Sequence, residues 1–71
     1  MEPALRHQLS ALDRALLALL NERARLLAGV AGDDPGRAPA VDDLLRRHAG
    51  PFEPAAIRAV FAAVDRGCRK P

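Results

Sequence analysis

Seventy-one residues make one small domain, and chains this short usually lean on a disulfide, a metal or an oligomeric partner for stability. Cys68 is the single cysteine, which excludes an internal disulfide. His7 and His48 are too far apart in sequence for metal-ligand spacing, so oligomerisation is what remains. A net charge of +2 is too small to argue for nucleic acid, and an apolar palette of Leu, Ala and Val without Trp, Tyr or Thr favours helix over strand.

The start, Met1-Glu2-Pro3, lacks the basic region of a secretion signal, and the longest apolar run, Ala15 to Leu20, is far too short to span a bilayer. The expectation is a cytoplasmic protein with no membrane attachment. From about Pro3 to Ala31 the chain reads as one helix, with Pro3 suited to its first turn. Leu5, Leu9, Leu12, Leu16, Leu19, Arg23, Leu26 and Val30 are spaced alternately by four and three, which makes a heptad seam. A second stripe of Leu17, Leu20, Ala24, Leu27 and Ala31 runs beside it. At 1.5 Å per residue such a helix is roughly 40 Å long, more than two short helices of the same chain could cover. It therefore calls for a partner chain.

The cluster Gly32-Asp33-Asp34-Pro35-Gly36 breaks the helix and opens a loop over 32–38. A second helix is expected from about Pro39 to His48, with Val41, Leu44 and Leu45 inward, and Ala49-Gly50-Pro51 stops it. A third is expected over about 53–66, with Ile57, Val60, Phe61 and Val64 at i, i+3, i+4 and i+7. A frayed basic tail follows over 67–71. The fold class is thus all-α: one long N-terminal helix plus two short ones, in an intertwined helical homodimer.

Arg23 does not suit its place in the seam. An unpaired guanidinium is costly in a core, and Glu22 points about 100° away from it on a helix. Leu19 and Leu27, one turn to either side, cannot pair with it. Either Arg23 reaches solvent or an acid across a dimer, or it awaits an anionic ligand. Arg6 lies beside the seam about 25 Å away at the helical rise. One chain cannot bring the two together, whereas two antiparallel copies place Arg6 of one near Arg23 of the other.

The stretch Leu5-Arg6-His7-Gln8-Leu9-Ser10-Ala11-Leu12-Asp13, continuing through Leu16 to Arg23, resembles the opening helix of the AroQ-type chorismate mutases. Their pattern is roughly L-R-x-x-I-x-x-[IL]-D-x-x-[IL]-[IL]-x-L-[IL]-x-x-R. Ala49-Gly50-Pro51 followed by Ile57 and Phe61 is similar to the family's passage from second to third helix. The resemblance implies an intertwined helical dimer with active sites shared between chains. It also implies a cofactor-free Claisen rearrangement of chorismate to prephenate, driven by holding a dicarboxylate and stabilising charge at the breaking ether oxygen. Arg6 of one chain and Arg23 of the other would clamp the carboxylates.

Departures from the family are equally specific. Ungapped counting places Asp34 where members carry an ether-oxygen Lys. With Val41 aligned, Arg37 matches the Arg of an Arg-Glu pair that opens the second helix, but Ala38 replaces the Glu. Cys68 falls where many members have Ser, and the late Gln or Glu that completes the ether contact lies past Pro71. Losing one preorganised donor costs about 10²–10³ in rate, and Arg37, Arg69 and Lys70 are the cations left to substitute. The resemblance therefore nominates Arg23 and Arg37 as catalytic, with Arg6, Arg23, Arg37 and Cys68 around the substrate.

Two functions are expected in competition. One is an enzyme acting on chorismate or a close dicarboxylate, with weak or partner-dependent turnover. The other is a degenerate module that binds a metabolite or docks on a partner enzyme of the shikimate pathway through its Arg/Gly-containing tail. Nucleic-acid binding through Arg46-Arg47-His48 is disfavoured, because stacking aromatics and helix-turn-helix spacing are missing.

Overall fold

The computed structural model describes residues 1–69, and every described element is helical. Helix α1 spans Pro3–Leu27, α2 Val41–Arg47 and α3 Pro54–Gly67, with a single 3₁₀ turn at Pro35–Arg37 between the first two. Each long helix opens in the same way. A glutamate N-cap accepts a backbone N–H (Glu2 from Ala4 at 3.1 Å, Glu53 from Ala55 at 3.2 Å), and a proline follows at the first helical position. Proline forfeits only a donor that is orphaned there anyway.

Helix α1 ends four residues earlier than its apolar periodicity suggests. Gly29 weakens the helix, and the Ala28 and Val30 N–H groups turn back to Arg25 and Leu27 in tight three-residue closures. The carbonyls of Leu27 and Val30 are then taken by the Arg37 side chain, a partner that hydrophobic periodicity does not reveal. Helix α2 also starts late. Ala38 is extended, as residues before proline are, and the Val41 N–H closes onto the Pro39 carbonyl at 2.9 Å. Asp42 and Asp43 in its first turn and Arg46 and Arg47 in its last complement the helix dipole. Gly50, at φ 150°, supplies the turn into α3 in a conformation that side chains rarely adopt.

The main helix-to-helix contact is α2 on α3, where Val41, Leu44, Leu45, Phe61 and Val64 are half-buried around Ile57. Ile57 is the one apolar side chain below a tenth exposed among the described residues, at 7%. Val60, expected inward, remains 43% exposed. Helix α1 buries no residue. Its seam stands open from Leu5 to Leu19 and again at Leu26, with Leu9 at 41%, Leu19 at 68% and Leu26 at 72% exposed, while Arg23 and Val30 are half-buried. The radius of gyration is 14.5 Å, against about 11 Å for a compact chain of this length. A lone chain therefore leaves its longest element without a core. The arrangement is all-helical, with one long N-terminal helix and two shorter ones, as expected.

Candidate functional site

The closed part of the molecule lies where the C-terminal ends of α1 and α3 meet the loop between α1 and α2. Arg23, on the last full turns of α1, is half-buried. Its Nη2 donates to the Arg37 carbonyl at 2.8 Å, and its Nη1 donates to the Cys68 thiol at 3.2 Å. Arg37 sits in the 3₁₀ turn that Asp34 caps by accepting the Gly36 N–H at 2.8 Å. Its side chain is the most buried polar group among the described residues, at 5% exposure. Nη1 donates to the carbonyls of Leu27 at 3.2 Å and Val30 at 2.8 Å, Nη2 donates to the Cys68 carbonyl at 3.2 Å, and Nε is buried with no partner.

Three of the four nominated residues, Arg23, Arg37 and Cys68, thus form one cluster. Sequence gave no geometric route to this, because 45 residues separate Arg23 from Cys68. Arg6 is elsewhere. It lies on an exposed turn near the start of α1, 17 positions before Arg23 and so roughly 25 Å along the axis.

The tail is not frayed over its described part. Helix α3 includes Gly67, the Cys68 N–H bonds back to Val64 at 3.1 Å, and Arg69 Nη1 donates to the Gly32 carbonyl at 2.8 Å. Lys70, also considered as a substitute cation, lies outside the described residues, as does Pro71.

Electrostatically the cluster is cationic. Arg23 and Arg37 have no carboxylate partner among the described residues, where every ion pair uses other arginines. Asp65 pairs with Arg69 at 3.3 Å, and its second carboxylate oxygen is buried and unpartnered, while the Asp34 carboxylate is engaged in capping the Arg37 turn. Beside the cluster lies an open cleft of about 560 Å³ lined by Ala24, Leu27, Val30, Arg37, Cys68 and Arg69 among others. Asp34, where the resemblance implies a lysine, is an acceptor engaged in its own turn and offers no donor.

Among the described residues no group of three or more His, Cys, Asp or Glu side chains is arranged to hold a metal ion, and no helix is long and apolar enough to cross a membrane. No family model, curated protein or solved structure matches the chain.

Proposed function

We propose that this chain is a chorismate mutase-like domain that binds chorismate or a closely related dicarboxylate in a homodimer, with rearrangement to prephenate weak or dependent on a partner enzyme. The observation that carries the reading is that the Arg23 and Arg37 side chains belong to one cluster and neither bonds a carboxylate among the described residues. A cation held away from water without a carboxylate partner is costly in the free protein, more so for buried Arg37 than for half-buried Arg23, and a dianion relieves that cost.

The second carboxylate contact would come from the partner's Arg6. Bringing it level with Arg23 in an antiparallel pair places the two-fold axis between Arg14 and Ala15. The same register sets Leu12 level with the partner's Leu17 and Leu9 level with the partner's Leu20 in its second stripe, one residue away from the register that pairs seam with seam. Arg23 and the partner's Arg6 then hold the carboxylates by charge-assisted bonds, and Arg37 adds its charge from behind. Holding the substrate in its reactive conformer supplies the orientational part of the rate. No metal or cofactor is needed for the rearrangement.

A specific observation favours the non-catalytic alternative. Asp34, where the resemblance implies the ether-oxygen lysine, accepts the Gly36 N–H and supplies no donor. The test is chorismate loss by the purified protein, against Arg23→Ala, with calorimetric binding of chorismate in parallel. Turnover abolished by the substitution supports a minimal mutase. Binding without turnover, lost in Arg23→Ala, supports a metabolite-binding module. Neither, alone or with candidate shikimate-pathway enzymes added, refutes the dicarboxylate reading.

A further inference from the structure

The side chain and the backbone of Arg37 face opposite tasks. Its side chain ties together the end of α1, through Leu27 and Val30, and the end of α3, through the Cys68 carbonyl. Its own carbonyl, with the thiol of that same Cys68, receives the Arg23 guanidinium. Both groups that aim Arg23 therefore belong to residues that the Arg37 side chain fixes in place. Although Arg37 lines the cleft, its side chain has little left for a ligand. Three backbone carbonyls occupy its Nη groups, its Nε is sealed from solvent, and the residue is 5% exposed.

We infer that Arg37 is a positioning residue for Arg23: it holds the carbonyl and thiol that orient the Arg23 guanidinium and does not contact the bound anion. The inference rests on the dicarboxylate reading for its purpose, though not for its geometry. Lysine cannot reproduce it, since one ammonium cannot span three carbonyls fixed by a planar fork.

Two measurements separate this inference from the functional reading. The first is ligand-free: guanidinium NMR of the full chain, following the Arg23 Nε and Nη protons in wild type, Arg37→Lys and Arg37→Gln, with circular dichroism as the control for folding. Wild type should show restrained Arg23 Nη protons. Both variants should show them averaged like those of an exposed arginine such as Arg66. Arg37→Lys keeps the charge and part of the carbonyl contact, so it serves where Arg37→Gln does not fold. A folded variant with Arg23 still restrained overturns the inference.

The second is chorismate affinity in a double-mutant cycle. Arg23→Gln should weaken binding by at least about tenfold. Adding Arg37→Lys to it should cost nothing more, because a residue acting through Arg23 has no effect once Arg23 is gone. Losses that add would make Arg37 an independent ligand contact and overturn the inference. Failure of the wild type to bind chorismate refutes the dicarboxylate reading alone, and the NMR result then decides the role of Arg37.

Discussion

Leu12→Ala tests the open seam most directly. Leu12 is 63% exposed in the single chain, so truncating it removes little that one chain uses, and alanine suits a helix at least as well. Burying a whole leucine contributes about 2 kcal/mol, and the exposed share of Leu12 therefore contributes about 1.3 kcal/mol if a second copy covers it. A two-fold interface buries it twice, so the dimer should weaken by about 2.5 kcal/mol, or about 60-fold in Kd. Sedimentation velocity over a dilution series measures the change, with circular dichroism at high concentration to show that the helices persist. A wild-type chain that sediments as a monomer throughout would refute the reasoning. So would a variant whose dimer Kd stays within about threefold of wild type.

Other expectations concern the single chain and its local contacts. Ile57→Ala empties the centre of the α2–α3 core and should cost about 2–4 kcal/mol, seen as a fall in Tm of roughly 10–25 °C; a fall below about 5 °C would place the core elsewhere. Asp34→Ala removes the acceptor for the Gly36 N–H and should cost about 1 kcal/mol, whereas Asp34→Asn should recover most of it. Equal losses for the two would show that the carboxylate charge matters rather than the bond. Arg58→Ala breaks an exposed pair with Asp42 and should cost below about 1 kcal/mol in chemical denaturation, less in high salt; a larger, salt-independent loss would contradict its surface character.

Periodicity and breakers located the helices well, because a proline at the start of a turn, a heptad of leucines and a Gly-Pro pair act locally. They missed where α1 stops. Gly29 lies inside the seam pattern, and the decision falls to carbonyls at Leu27 and Val30 that bond a side chain from the next loop. Backbone acceptors have no sequence signature, so the Arg37 lattice was invisible. Arg23 was legible for the opposite reason: a charge in an apolar register is conspicuous in one dimension. The approach of Cys68 to Arg23 depends on how α3 returns along the end of α1, a long-range outcome that spacing does not encode. Asp34 was noted as an acid where the resemblance implies a cation, and the structure adds what its carboxylate does instead.

The uneven support along α1 carries a consequence for hydrogen exchange. Amides near Arg23 lie beside the contacts that join the ends of α1 and α3, whereas those from Leu5 to Leu16 belong to a stretch that is exposed throughout. Without tertiary packing a helical segment opens at little free-energy cost. In a solitary chain the N-terminal turns of α1 should therefore exchange quickly while the turns around Arg23 exchange slowly. Pairing would erase that gradient, so the same sequence would hold a straight rod at high concentration and a rod with a fluctuating end when dilute.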